Sequence, residues 1–195
     1  HDFVIIESVE LAGLYNSDFW KMYNNQTITK SDKVPEFIKI REDLFVKSCF
    51  SPYEDCESVI IDAINQTEES ILFAVYSFTN TKIFESLKRA EERGIIIQGV
   101  IEASGVTDDT VDYQSLNSVR IKMDKLRVHT KLFIFDDDIV ITGSLNPTFK
   151  GVNYNNENIL IIKNEEISAV YKNFNYHMYE NAQDNYFQYM KLYFE

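Results

Sequence analysis

The chain has no apolar run approaching the ~18 residues of a membrane span, no basic-then-apolar leader at its start, and no internal repeat or low-complexity linker. These absences exclude a helical membrane anchor within the sequence and point to one compact, soluble domain. The first residue is His1, not Met, as expected of a mature or truncated form, so the missing leader does not fix localisation. Positive charge is scarce: 19 Lys and Arg stand against 31 Asp and Glu, a net charge of −12. Such a surface repels nucleic acid and anionic lipid over roughly a Debye length, so any phosphate binding has to be local. Only two cysteines, Cys49 and Cys56, are present. Zinc wants four ligands and neither their spacing nor their neighbours supply them, so no metal is expected. Two readings remain: a disulfide between a strand end and the first turn of the next helix, or two separate buried thiols.

What is present is a hydrophobic fraction of 45% in 195 residues, enough for one sizeable core and too little for two. Residues 1–43 lack sustained periodicity except in "SDFWKMYN", where Phe19, Trp20 and Tyr23 fall on one face of a short helix and are expected to pack against the domain. From residue 44 onward the pattern is regular. "LFVKSCF" reads as a strand and "SPYEDCESVIIDAINQ" as a helix, with Ser51 as N-cap, Pro52 at the first helical position and Glu54 closing a capping box. "SILFAVYSF" is a continuous apolar run suited to burial on both faces. Thr79 can cap a second helix with Ile83, Phe84, Leu87 and Ala90 on one face and Gly94 at its end, before the strand "IIIQGVI". This β-α-β-α-β order builds parallel strands, with ligands beyond their carboxyl ends. A short helix near 111–117, the strands "VRIKM", "KLFIFD", "DIVITGS" and "NILIIK", and a long core-covering aromatic helix from Glu165 complete an α/β or α+β fold.

Residues 120–131, "RIKMDKLRVHTK", gather Arg120, Lys122, Lys125, Arg127 and Lys131 against only Asp124. A solvated strand face is the plain reading of such a cluster. It leads, however, into "VHTKLFIFDDDIVITGSLNPT" at 128–148. Alternate residues of a strand share a face, so His129 and Lys131 project together while "LFIF" is buried. An ammonium beside an imidazole favours its neutral, nucleophilic form and supplies an anchor for a phosphoryl oxygen. Gly143 lets a backbone approach a ligand, Ser144 offers a hydroxyl and an N–H, and Asn146 offers an amide. Together they make a cup for an oxyanion. Taken singly, such a histidine is a satisfied surface or core residue, and a Gly-Ser-x-Asn tetrad is a turn.

The joint spacing His129-x-Lys131-x4-Asp136-x6-Gly143-Ser144-x-Asn146 resembles the HKD motif of the phospholipase D superfamily. The segment from "FSPYEDCES" to "IIIQGVIE" resembles the amino-terminal half of the family's single-motif, nuclease-like branch, with Tyr76 to Thr79 as its Tyr-Ser-Phe-Thr strand end. "NYNNENILII" resembles the segment after the motif, where Asn155, Glu157 and Asn158 fit an Asn-x-Glu-Asn pattern. The likeness covers about residues 45–180 and is weaker over 1–43. It implies a phospholipase D-like mixed sheet flanked by helices, with an N-terminal extension at 1–43 and a catalytic domain at 44–195. It also implies a phosphodiesterase without metal or cofactor. One histidine attacks phosphorus to give a phosphohistidine, a second protonates the leaving oxygen, and water releases the product.

This chain holds one motif, since His177 has no lysine two residues on and His1 is terminal. The expectation is a homodimer with the active site at its interface. The expected catalytic residues are His129, Lys131, Asp136 and Glu157; Glu157 holds an imidazole, by analogy that of the other subunit, and Asp136 bonds within the fold rather than touching phosphate. Lys131, Ser144 and Asn146 are expected to bind phosphate, Gly143 and Asn158 to shape the site, and Arg120, Lys122, Lys125 and Arg127 to hold substrate. The run Asp136-Asp137-Asp138 could suggest a metal, but consecutive residues at a strand turn point in different directions.

Three functions fit these residues. A non-specific endonuclease acting on DNA or RNA is favoured by the nuclease-like branch and the basic cluster; its acidic bulk predicts weak duplex binding and a preference for flexible single strands. A phospholipase D or cardiolipin hydrolase acting on lipid phosphodiesters is the alternative, with Phe19, Trp20 and Tyr23 as docking candidates. A silent phosphate-binding module is the third, and the intact motif argues against it. The two close cysteines, the absent Met and the sequons at Asn25 and Asn65 point to an exported rather than a cytoplasmic protein.

Overall fold

A computed structural model describes residues 4–27, 29–31, 36–122 and 128–182, the side chain of Lys122 excepted. In chain order the elements are α1 (Val9–Tyr23), β1 (Ile38–Arg41), β2 (Leu44–Ser51), α2 (Cys56–Gln66), β3 (Ser70–Val75), α3 (Thr81–Glu92), β4 (Ile96–Glu102), β5 (Val119–Lys122), β6 (Lys131–Phe135), β7 (Ile139–Gly143), α4 (Phe149–Asn153), β8 (Glu157–Lys163) and α5 (Glu165–Glu180). The strands form one sheet in the order β1-β2-β8-β7-β6-β3-β4-β5. β3, β4 and β5 are parallel, and every other neighbouring pair is antiparallel.

Burial on both faces explains the unbroken apolar runs. Phe73, Phe133, Ile141 and Ile161 pack on the side of α2 and α3 with Ile60, Ile83 and Leu87. Leu72, Leu132, Val140 and Ile162 pack on the opposite side with Leu11 of α1 and Tyr171 and Tyr179 of α5. Each such side chain contributes about 1.5–3 kcal/mol relative to its exposed state.

The expected β-α-β-α-β unit holds only in its second half. β3 and β4 are parallel neighbours, but β8, β7 and β6 lie between β2 and β3. Those three strands pair as an antiparallel ladder and take the centre of the sheet. Local corrections are smaller. Ser51 ends β2 and caps nothing; its hydroxyl donates to Gly151 O at 2.7 Å. α2 starts at Cys56, with Asp55 as its cap, four residues later than expected. Asn80, not Thr79, caps α3, its side chain accepting from Ile83 N at 3.0 Å. The helix expected near 111–117 is a single 3-10 turn, Tyr113–Ser115. A disulfide joins Cys49 and Cys56 across a Cα–Cα distance of 5.7 Å, fastening β2 to the start of α2.

Within the expected extension, residues 38–41 form β1 and pair with β2, and α1 is longer than its sequence signal. The helix turns Leu11 and Asp18 inward. Phe19, Trp20 and Tyr23, expected against the domain, are therefore left 50%, 48% and 69% exposed.

Candidate active site

Sheet topology gathers one edge. β2, β3, β4, β5 and β7 end there, and β6 and β8 begin there, because each antiparallel partner reverses direction. Val75 pairs with Lys131, Gly143 with Ile159, and Ser51 with Glu157. His129, Lys131, Gly143, Ser144, Asn146, Glu157 and Asn158 thus meet on this edge although 29 residues separate the first from the last (158 minus 129).

His129 is exposed just before β6, while Lys131 is buried. The Lys131 ammonium folds back onto it, donating to His129 O at 2.7 Å and lying 3.3 Å from His129 Nδ1. Loss of water around the ring, and then the adjacent ammonium, hold His129 below the usual imidazole value of 6.5. Its neutral form therefore persists into mildly acidic solution. The Tyr76 ring stands 5.4 Å from the imidazole, centroid to centroid, and 6.0 Å from Lys131 Nζ. Glu102, buried at the end of β4, accepts from Val128 N at 2.8 Å and from Ser104 Oγ at 3.0 Å, fixing the backbone that enters His129. Neither Tyr76 nor Glu102 was marked for this site by the sequence. Tyr76 was singled out only as the start of the Tyr-Ser-Phe-Thr strand end, and Glu102 only by its place at the end of an apolar strand.

Gly143 is needed where it stands. Its φ is +152°, and a Cβ there would lie 2.2 Å from Asn158 O. Beyond it, Ser144 departs from expectation. Its N–H donates to Asn158 O at 3.0 Å, and its hydroxyl accepts from Asn158 N at 3.0 Å and faces Asn158 Oδ1 at 3.4 Å. Ser144 is committed to Asn158 rather than open as an oxyanion cup. The 3.4 Å contact is weak, and a phosphate oxygen is the stronger acceptor, so the hydroxyl can turn to an arriving phosphate. The Asn146 side chain has a buried Oδ1 with no hydrogen-bond partner. Its turn is held from outside, since Thr79 N and Asn80 N donate to Pro147 O at 3.1 and 3.0 Å. Glu157 is half-buried and accepts from Asn155 Nδ2 at 3.2 Å. Two strand spacings, roughly 9–10 Å, separate its strand from that of Lys131.

Other expected residues lie elsewhere. Asp136 is at the far end of β6, with its carboxylate accepting from Glu68 N, Ser70 N and Glu69 N at 2.8, 3.0 and 2.7 Å. This removes it from the catalytic set and agrees with a role within the fold. Asp137 pairs with Lys172 and Asp138 with Lys163, so the acidic run diverges into three separate contacts. Among the described residues, no three His, Cys, Asp or Glu side chains are grouped to hold a metal ion. Arg120 turns under α5, donating to Tyr179 O at 3.2 Å with its guanidinium 4.0 Å from the Tyr179 ring. Lys122 ends β5 at the edge; its side chain, and the whole of Lys125 and Arg127, lie outside the described residues.

A family model described as "Cardiolipin synthase, PLD-like domain" matches residues 60–178. The chain is 31% identical over 130 residues to a phospholipase D of Rickettsia conorii, covering 65% of each chain. It is 26% identical over 131 residues to a mitochondrial cardiolipin hydrolase of Canis lupus familiaris, covering 60% of this chain and 48% of that one. The match therefore spans less than two thirds of the length of either relative. Among solved structures, Nuc, a phospholipase D family member from Salmonella typhimurium, superposes with a TM-score of 0.69 at 24% identity, over 73% of this chain and 98% of that one.

Proposed function

We propose that this chain, which belongs to the phospholipase D-like family, is a metal-independent nuclease that cleaves single-stranded nucleic acid through a phosphohistidine on His129. Its membership of the family makes it a phosphodiesterase. The observation that carries the mechanism is the Lys131 ammonium lodged against His129. It keeps the imidazole neutral for attack and is a fixed cation for the phosphate oxygens. The nucleic-acid choice is supported by exposure. His129 stands on an open strand edge among polar groups, across which a polymer backbone can lie, whereas a lipid lifted from a bilayer needs apolar walls.

Two copies of the chain form the complete site. His129 Nε2 forms a bond to phosphorus as the bond to the leaving oxygen breaks, and the imidazolium of the second copy gives that oxygen its proton. Water then attacks phosphorus, the second imidazole takes its proton, and the N–P bond breaks. Attack needs the lone pair on Nε2. The ring proton then sits on Nδ1, where a carboxylate accepts it and fixes that tautomer. Glu157 of the second copy supplies the carboxylate. Asn146 and the turned Ser144 hydroxyl hold the equatorial oxygens. The disulfide is in keeping with an exported site of action.

The second reading is a lipid phosphodiesterase, favoured by the likeness to relatives named phospholipase D and cardiolipin hydrolase. Cleavage of fluorescent single-stranded and duplex DNA in excess EDTA, by the protein and by His129→Ala, tests the proposal. Activity that resists EDTA and is lost in the variant is expected. No cleavage by either moves the assignment to lipid, and cleavage abolished by EDTA removes the mechanism.

A further inference from the structure

Helix α1 presents an uncharged face to solvent. Val9, Ala12, Asn16, Phe19 and Tyr23 recur at steps of three and four, with Gly13 and Trp20 beside them, and all seven are exposed. The charged residues Glu10, Asp18 and Lys21 lie off this face, and Leu11 on the other side packs in the core. The three rings form one cluster, with Phe19 5.4 Å from Trp20 and 5.9 Å from Tyr23, and Trp20 5.3 Å from Tyr23. The cluster adjoins the active edge. Tyr15, one turn earlier, packs on Phe50 at 4.9 Å, and its hydroxyl accepts from Asn158 Nδ2 at 2.8 Å. Phe19 and Tyr23 stand about 6 and about 12 Å further along the helix axis. α1 lies outside the segment matched by the family model, residues 60–178.

We propose that this aromatic face receives the bases of a single strand whose phosphate lies at His129 and Lys131. The inference rests on the nuclease reading above and extends it. A single strand carries planar bases along with its phosphates, and the Tyr15–Asn158 contact ties the helix that bears the rings to the edge that bears Lys131. At a net charge of −12 the surface as a whole does not attract phosphates, so electrostatic capture of a strand is confined to a local basic patch. Base stacking needs no charge and accepts every base. A bilayer fits this face less well. Interfacial helices pair an extended apolar face with Lys and Arg on their polar side, whereas here Val9 is the only large aliphatic side chain on the face and the charged side chains turned outward beside it are one acid, Glu10, and one base, Lys21.

Trp20 is the only tryptophan of the chain, so its emission reads this face directly. The full chain carrying His129→Ala, which prevents turnover, is titrated with a 12-nucleotide oligothymidylate. Saturable quenching is expected, with affinity about tenfold weaker when Phe19→Ala and Tyr23→Ala are added. In the otherwise unsubstituted enzyme, the same pair raises KM for the oligonucleotide about tenfold with little change in kcat. Unchanged emission on adding oligonucleotide, or unchanged affinity in the double variant, overturns the proposal. So does a blue shift with phosphatidylcholine vesicles and no response to oligonucleotide, which assigns the face to lipid. A change in emission on diluting the protein alone, with no oligonucleotide response, assigns it to a second copy and also overturns the proposal. Hydrolysis of bis(p-nitrophenyl) phosphate separates this inference from its premise. Turnover of that small diester without Trp20 quenching removes only the base platform, whereas quenching without cleavage of the strand removes the nuclease reading.

Discussion

The two ends of strand β6 divide one sequence motif between two kinds of work. At its start, His129 is exposed and the Lys131 ammonium lies against it. At its end, Asp136 spends both carboxylate oxygens on three backbone N–H groups, and Asp137 and Asp138 each hold a lysine. Polar groups at the first edge retain capacity for a ligand; those at the second are committed to the fold. In the proposed mechanism the start of the strand does the chemistry and its end the architecture, and mutation should separate the two.

The largest effect is expected at the start of the strand. His129→Ala should lower kcat by about 10⁴-fold or more, as loss of a nucleophile does, with the melting temperature nearly unchanged. Lys131→Met should cost about 10²–10³-fold in kcat, comparable to the loss of one oxyanion donor. At the other end the pattern inverts. Asp136→Ala removes three charge-assisted bonds at a residue with φ of +47° and should lower stability by about 2–3 kcal/mol in urea denaturation. The folded fraction should keep kcat within about threefold. A large kcat loss in correctly folded Asp136→Ala would erase the division between the ends.

The smallest effect is a shift in pH dependence. Attack needs one His129 neutral and proton donation needs the other protonated, so kcat/KM should be bell-shaped about their pKa, which loss of water around the ring and Lys131 hold below 6.5, and its acid limb reports the neutral, attacking copy. Lys131→Met removes the repelling charge, and the acid limb of the kcat/KM profile should move to higher pH. A limb that stays in place or moves down contradicts the role given to Lys131.

The same division explains what could be read from the sequence. Seven of the strands, β2 to β8, and the His-Lys and Gly-Ser-x-Asn spacings are local patterns, and local patterns survive as letters. The order of the sheet does not, because the antiparallel insertion of β6, β7 and β8 between β2 and β3 depends on contacts between segments up to about a hundred residues apart. β1 was missed because four residues beside a turn carry too short an alternation. Ser51 imitated a cap, yet Gly151, a hundred positions on, claims its hydroxyl. Glu102 and Tyr76 were not assigned to the site because their approach to His129 depends on the pairing of β3 with β6 and of β4 with β3. Ser144 looked like an open donor, and its commitment to Asn158 follows from the register of β7 with β8.

The most direct test of the central claim is to look for the covalent intermediate. The protein is mixed with a labelled single-stranded oligonucleotide in EDTA, quenched in alkaline denaturant during the first turnover, digested and analysed by mass spectrometry. A nucleotidyl adduct on His129 that disappears on a chase with unlabelled substrate is expected. Turnover with no adduct on His129, or with the adduct on another residue, would contradict that claim.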